Sequence, residues 1–192
     1  MVAATVADKR TAILETSLAL LAERGFHDAP MSLIAQRAGV GTGTVYRYFD
    51  NKDALINELF LELKRDLLAA MLHGLPAAAS FQIQLRHLWR RTFDFCVRHP
   101  EAMRFLEQYH NSPFLTPEVE QATAHLYAPL LKAVERATTA GEIKALPFEM
   151  LSAFTYDTIV ALAKRHLSGA LVIDDAAFEL AFVTCWDGLR AR

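Results

Sequence analysis

The segment from Met31 to Phe49 constrains the fold most, because its apolar residues predict two short helices that meet at a glycine corner. Each predicted helix has one apolar side, formed by Ile34, Ala35 and Ala38 in the first and by Val45, Tyr48 and Phe49 in the second. The small side chain of Ala35 allows two helices to approach closely, and Gly39 stands where a sharp turn needs a positive backbone angle. The spacing is typical of a helix-turn-helix.

In a helix-turn-helix, the second helix lies in the major groove of DNA while the first crosses the backbone. The residues left exposed on the predicted second helix are Thr42, Gly43, Thr44, Tyr46 and Arg47. A phosphate-binding loop at Gly39–Gly43 is disfavoured, since that motif follows a buried strand and uses wider glycine spacing. An ordinary helical hairpin with a glycine turn remains the alternative.

Composition limits the cellular setting and the chemistry of the chain. Among its 192 residues there is no apolar run with a basic start and no uncharged stretch of roughly 20 residues. We therefore expect a cytoplasmic protein without a membrane span. Cys96 and Cys185 lie far apart among apolar residues, which predicts buried, reduced thiols. The seven histidines are scattered, so we expect neither a metal site nor a cofactor.

Charge gives little support for nucleic-acid binding. The net charge is −2, and the first 55 residues balance six basic against six acidic side chains. The broad basic surface of many DNA-binding domains is therefore absent. Any DNA contact must come from locally placed donors, and two copies of the chain would be needed to reach enough phosphates.

The flanking sequence predicts an all-α fold in two domains. A helix over residues 8–24 has an apolar side that completes a three-helix domain, Gly25 ends it, and Phe26 is expected to fold back on its last turn. Asp50 offers a cap for a helix of about 20 residues that carries Leu55, Leu59, Leu63 and Leu67. We expect a DNA-binding domain over residues 6–66, joined by this long helix to a second domain over residues 67–192.

The second half predicts further helices and a subunit interface. Pro129 lies inside a predicted helix over residues 116–140, which it must bend or deprive of a hydrogen bond. Two final helices, over residues 147–167 and 174–190, are apolar on more than one side. A monomer would leave one of those sides in water, so we expect a homodimer formed through the last two helices.

Five short blocks form a dense, ungapped pattern in the first third of the chain: Gly25-Phe26, Ile34-Ala-Gln-Arg-Ala-Gly-Val40, Gly43-Thr-Val-Tyr46, Tyr48-Phe49 and Lys52-Asp-Ala-Leu55. This pattern resembles the tetracycline-repressor (TetR/AcrR) family of bacterial transcription factors. The resemblance implies an all-helical homodimer with an N-terminal helix-turn-helix domain, a variable C-terminal ligand-binding domain, and dimerisation through the last two helices.

Matching residue by residue, the resemblance implies that DNA is contacted by Thr42, Gly43, Thr44, Tyr46, Arg47, Tyr48 and Lys52. Hydroxyl groups and a lysine at a helix N-terminus suit phosphate contacts, and Arg47 is a long donor able to read guanine. Simple packing of Tyr46 and Tyr48 is the alternative reading. The chain departs from the family in having Gly41 where many members have serine and Pro30 where many have threonine.

A ligand site is expected in the second half, lined mainly by apolar and aromatic side chains. The candidates are Trp89, Phe93, Cys96, Met103, Leu106, Tyr109, His110, Phe114, Leu126, Leu130, Phe154 and Asp157. Core packing is an alternative explanation for most of them, and His110 and Asp157 would either orient a ligand or pair with each other.

These patterns predict a transcriptional repressor that a small hydrophobic or aromatic ligand releases from a palindromic operator. A transcriptional activator or a ligand-independent regulator of the same fold is the alternative. No nucleophile, base and orienting residue can be assembled from the spacing, so we do not expect an enzyme.

Overall fold

The computed structural model describes residues 6–191 and their side chains from residue 9 onward. In chain order the helices are α1 (Val6–Arg24), α2 (Met31–Arg37), α3 (Thr42–Tyr48), α4 (Lys52–Leu72), α5 (Phe81–Arg98), α6 (Pro100–His110), α7 (Pro117–Ala124), α8 (Ala128–Thr139), α9 (Phe148–Ser152), α10 (Thr158–Leu167) and α11 (Asp175–Leu189). No β-strand occurs within residues 6–191, although an isolated antiparallel bridge joins Ile143 and Arg190. The predicted all-α fold is confirmed.

The described residues up to Lys64 pack with Glu101–Ala122 into one compact unit. Its core contains almost fully buried apolar side chains from α1 to α4, namely Ile13, Leu21, Ile34, Ala35, Val45, Leu55 and Ile56. Helices as short as α2 and α3 are unstable alone, and burial of each large apolar side chain supplies about 1.5–3 kcal/mol. Of the apolar faces predicted for α2 and α3, Ile34, Ala35, Val45 and Phe49 are buried as expected, whereas Ala38 and Tyr48 are only half-buried.

Phe26 anchors α6 within the same unit. Its ring meets Phe105, Phe114 and Tyr109 edge-on, with centroids 5.6, 5.2 and 6.5 Å away. The sequence predicted that Phe26 folds back on the last turn of α1. The structure places it among aromatic rings that lie much later in the chain, a contact that the sequence did not predict.

The second compact unit comprises residues 65–100 together with residues 123–191. Its core is built on α5, where Trp89 packs edge-on against Phe178 and Phe182 of α11 with centroids 6.3 and 5.8 Å away. Arg90 of α5 also contacts α11, since its guanidinium lies 3.7 Å from the Phe178 ring centroid and pairs with Asp175 at 2.9 Å. The helix α4 contributes residues to both units, and the division into residues 6–66 and 67–192 stays a prediction.

Two of the long helices predicted from sequence are interrupted. A 3₁₀ turn at His125–Tyr127 separates α7 from α8, and Pro129 follows within the first turn of α8, where its missing N–H costs nothing. A π-helical turn at Ala153–Asp157 separates α9 from α10. The Thr158 hydroxyl donates to the Ala153 carbonyl across this turn at 3.1 Å, which stabilises its wider path.

Both cysteines are free thiols, and Cys96 is buried whereas Cys185 is half-buried. Burial raises the pKa of Cys96 to about 12 and that of Cys185 to about 11.

No helix within residues 6–191 is both long enough and apolar enough to cross a membrane. Over the same residues, no three His, Cys, Asp or Glu side chains form a cluster able to hold a metal ion.

Candidate nucleic-acid interface

The corner between α2 and α3 is closed by glycine. Gly39 has a φ of 68°, in the left-handed region that glycine adopts without steric cost. Its N–H donates to the Gln36 carbonyl at 3.2 Å, and the N–H of Val40 donates to the Ala35 carbonyl at 3.0 Å. These two bonds form a Schellman motif, which ends α2 and sets the direction in which the chain enters α3.

The helix α3 is held by its apolar side and presents its polar side to solvent. Val45 is fully buried and Phe49, directly after the helix, is 4 % exposed. Tyr46 is 50 % exposed, and Thr42, Gly43 and Arg47 are also exposed. Thr44 and Tyr48 are half-buried. The polar side of α3 is thus accessible to solvent, and its contacts with DNA stay a prediction.

The start of α4 carries a cation, Lys52, that contacts the loop between α1 and α2. Lys52 is half-buried, and its ammonium donates to the His27 carbonyl at 3.5 Å. Desolvation lowers the pKa of Lys52, although Asp28 and Asp53 oppose that shift. The helix is capped by Asn51, whose side-chain oxygen accepts from the Ala54 N–H at 2.8 Å. The sequence predicted Asp50 as the cap, but the helix begins one residue later and Asn51 occupies the capping position.

The two departures from the usual family pattern leave α2 and α3 without side-chain caps. Pro30 precedes α2 and Gly41 precedes α3, and neither position has a side-chain capping bond. The carbonyls of both residues still accept backbone N–H groups of the following helix. Packing of the apolar side, rather than capping, therefore stabilises the two short helices.

Arg10 of α1 contacts α4 and the end of α3. Its guanidinium pairs with Glu58 at 2.8 Å and with Glu62 at 2.6 Å, one helical turn apart on α4. It also lies 5.8 Å from the centre of the Phe49 ring. These contacts fix the corner at which α3 passes into α4.

The predicted ligand residues are divided between the two compact units. The first unit contains Met103, Leu106, Tyr109, His110 and Phe114, and the second contains Trp89, Phe93, Cys96, Leu126, Leu130, Phe154 and Asp157. His110 and Asp157 are both exposed and belong to different units. As a ligand site, the set stays a prediction.

Several of the predicted ligand residues have structural roles within their own unit. Tyr109 stacks on Phe60 with ring centroids 3.9 Å apart, and its hydroxyl lies 2.7 Å from the Asn57 side-chain oxygen. Burial raises the pKa of Tyr109 to about 12, so it stays a neutral donor. Phe93 and Trp89 pack on Phe178 in the second unit. Phe154, in contrast, is 53 % exposed.

The first unit also has an open surface depression of about 480 Å³. It is lined by Gly25, Phe26, Arg104, Glu107, Gln108 and Asn111. It shares none of its lining residues with the ligand set predicted from sequence.

The helices after residue 147 expose large apolar side chains. Phe148, Met150 and Phe154 lie on α9 and the π-helical turn, and Leu180 and Val183 lie on α11. Cys185 of α11 contacts the Phe154 carbonyl through its sulfur at 3.3 Å, which places α11 against the π-helical turn. The buried and exposed sides predicted for the last helix are confirmed by Phe178 and Phe182 on one side and Leu180 on the other.

Sequence reasoning missed the contacts that join distant segments of the first unit. Arg10, Glu58 and Glu62 form the clamp on α4, and Asn57 meets the hydroxyl of Tyr109. The four-residue spacing of Glu58 and Glu62 placed them on one side of a helix, but nothing in the sequence pointed to Arg10 as their partner.

Comparisons with known proteins match both halves of the chain. The family model described as bacterial regulatory proteins of the tetR family matches residues 13–59, and a tetracyclin repressor-like C-terminal domain model matches residues 80–190. A solved TetR family transcription regulator from Marinobacter aquaeolei VT8 is 31 % identical, with a TM-score of 0.91 and 96 % of each chain covered.

Curated relatives match over shorter lengths. An uncharacterised HTH-type transcriptional regulator of Haemophilus influenzae is 29 % identical over 94 residues, 49 % of this chain and 50 % of the relative. A fatty acid metabolism regulator protein of Bacillus subtilis is 42 % identical over 50 residues, 26 % of each chain. The chain thus spans half or less of the length of these curated relatives.

Proposed function

We propose that this chain, which belongs to the TetR family of bacterial regulatory proteins, represses transcription by binding a palindromic operator as a homodimer. In this proposal α3 of each protomer enters the major groove, and a small, mostly hydrophobic or aromatic ligand releases the protein from DNA. The protein acts in the cytoplasm, where the bacterial chromosome lies.

The observation that carries the proposal is the two-sided character of α3. Val45 and Phe49 are buried while Tyr46 and Arg47 are exposed. The buried side therefore holds the helix in place, and the exposed side carries hydrogen-bond donors. Tyr46 offers a hydroxyl for phosphate oxygens, and Arg47 is long enough to bond a guanine edge with two N–H groups. Because the first 55 residues carry no net charge, binding depends on these placed donors rather than on a general basic field.

The exposed apolar residues of α9, the π-helical turn and α11 support pairing of two copies. Leu180 is 70 % and Phe154 is 53 % exposed, and the contact of Cys185 with the Phe154 carbonyl brings their two segments together. Exposed apolar residues on adjoining segments are typical of a subunit interface. A two-fold interface would bury the same surface on both protomers, as the commonest form of homodimer does. Such a dimer presents two copies of α3 to half-sites that lie one DNA turn, roughly 34–36 Å, apart.

Release by a ligand follows from linkage. A ligand that prefers a dimer with a different spacing of its α3 helices weakens DNA binding, and DNA weakens ligand binding by the same factor. The apolar and aromatic side chains that dominate the predicted ligand set support a mostly apolar ligand. Mass spectrometry of small molecules that co-purify with the protein would identify it.

The test of operator binding is fluorescence anisotropy with a labelled duplex taken from the region upstream of the chain's own gene. Tyr46→Ala should weaken binding through the loss of a contact in each half-site. Lys52→Ala should lower the slope of log affinity against log salt by about two per dimer, since each lysine releases roughly one counterion. Lys132→Ala removes an exposed lysine from α8 of the second unit and serves as the matched control.

Two results would contradict this assignment. One is normal operator binding by both the Tyr46→Ala and Lys52→Ala dimers. The other is an equal change in salt slope for Lys52→Ala and Lys132→Ala, which would mean that only the total charge matters.

A further inference from the structure

The guanidinium group of Arg10, on α1, contacts two residues of α4 and Phe49, which directly follows α3. Nη2 pairs with Glu58 at 2.8 Å and Nη1 pairs with Glu62 at 2.6 Å. The three side chains are each about one-third exposed, at 34 %, 39 % and 34 %. The planar, forked shape of guanidinium lets one arginine hold two carboxylates one helical turn apart, which a lysine ammonium cannot do with the same geometry.

The same guanidinium lies beside the end of the recognition helix. Phe49 directly follows α3, its N–H donates to the Val45 carbonyl at 3.0 Å, and its ring lies 5.8 Å from the Arg10 guanidinium carbon. A cation at this distance is attracted by the face of an aromatic ring. The start of α4, capped by Asn51, follows only three residues later. Arg10 therefore contacts both arms of the corner between α3 and α4.

We propose that Arg10 is a positioning residue for operator recognition, which sets the angle between α3 and α4 and with it the half-site spacing that the dimer accepts. This inference rests on the proposed function. A change in this angle moves α3 relative to the α4 that follows it. Because a dimer contains two such corners, the change alters the distance between its two α3 helices. Arg10 lies outside the residues that the two family models match, 13–59 and 80–190.

Partly exposed ion pairs contribute little to folding stability, so loss of this clamp should change geometry more than it changes unfolding. Without Arg10, Glu58 and Glu62 face each other as like charges at four-residue spacing, and their repulsion destabilises that part of α4 slightly. The expected phenotype is thus a folded dimer with reduced discrimination between spacings.

The experiment measures the affinity of the full chain for its operator and for derivatives with one base pair added to or removed from the centre. Discrimination is the ratio of the native affinity to the altered-spacer affinity. Arg10→Met and the double variant Glu58→Gln with Glu62→Gln both remove the clamp, and each should lower this ratio by at least about threefold. Arg24→Met is the matched control, since it removes an arginine from the other end of α1 whose nearest acid lies 3.9 Å away.

The double variant separates positioning from electrostatics. It makes the DNA-binding unit more positive, so charge alone would tighten binding on every spacer equally and leave the ratio unchanged. Arg10→Lys keeps the charge but not the fork, and the proposal expects a ratio between those of wild type and Arg10→Met.

The inference is overturned if wild type discriminates between spacings and both clamp variants retain the wild-type ratio. It is also overturned if Arg10→Met and Arg24→Met lower affinity equally on all three duplexes, or if thermal unfolding shifts while the ratio does not. If wild type binds no operator at all, the proposed function fails, and this inference fails with it.

Discussion

A substitution at Gly43 can test whether α3 approaches DNA closely without disturbing the folding of α3. It is the second residue of the helix, it is exposed, and its φ is not in the left-handed region. A Cβ built at Gly43 meets nothing within 4 Å, apart from its own helix backbone and chain neighbours. Alanine is better than glycine by about 0.8–1 kcal/mol in a helix interior, and we take about half of that for the first turn. Gly43→Ala should therefore raise Tm by about 1–2 °C.

DNA binding should change in the opposite direction. If the α3 backbone approaches the groove at Gly43, the added methyl group displaces it and each half-site loses about one hydrogen bond, worth about 0.5–1.5 kcal/mol. Two half-sites lose about 1–3 kcal/mol together, which corresponds to a fivefold to hundredfold weaker affinity by the usual conversion of about 1.4 kcal/mol per tenfold. Gly43→Ala is thus expected to be more stable and less active.

The assays are thermal unfolding followed by circular dichroism and anisotropy on the operator duplex. Thr139→Ala is the control, since Thr139 is an exposed residue of α8, outside α3 and the last two helices, and alanine has the higher helix propensity there too. It should raise Tm without changing operator affinity, and light scattering checks that both variants remain dimers. Wild-type affinity in Gly43→Ala would refute the idea that α3 approaches DNA at this residue.

Four further outcomes are expected. Gly39→Ala should destabilise the protein by about 1–2 kcal/mol in urea unfolding, because alanine at a φ of 68° is strained; unchanged stability would show that the corner relaxes. Tyr109→Phe should cost about 0.5–1.5 kcal/mol, since it removes the hydroxyl group that lies between Asn57 and the Phe114 carbonyl. Leu180→Asp should yield monomers in sedimentation velocity and abolish operator binding, whereas Ile83→Asp, at a residue 54 % exposed on α5, should stay dimeric. Because its pKa is raised to about 12, Cys96 should react slowly with a chromogenic disulfide reagent at pH 8 in the folded protein and rapidly in urea; rapid labelling of a Cys185→Ser variant in the folded state would contradict its burial.

The helix-turn-helix was predictable from sequence because its determinants are local. The apolar positions of α2 and α3 recur at helical spacing, and Gly39 supplies a backbone angle that few other residues adopt. The family and the all-α fold inferred from this stretch are confirmed. The seven DNA-contact residues and the ligand set stay predictions.

What sequence reasoning missed depends on contacts between distant segments. Phe26 was assigned to the nearest helix turn, but its aromatic partners lie about 80–90 residues later, where no spacing rule reaches. Arg10 was counted only as one positive charge in a balanced domain, although two carboxylates hold it. The π-helical turn was hidden for another reason, since the apolar spacing over residues 147–167 fits one continuous α-helix.

The aromatic contacts of Phe26 have a consequence for recombining such regulators. The C-terminal family model begins at residue 80 and so includes α6, whereas the structure packs Phe105, Tyr109 and Phe114 into the unit that holds the helix-turn-helix. A chimaera that exchanged everything after residue 79 would supply Phe26 and Phe60 with foreign neighbours. A C-terminal segment exchanged at residue 80 should therefore pack correctly only if the donor supplies matching aromatic rings, or if residues 101–122 are kept from the recipient.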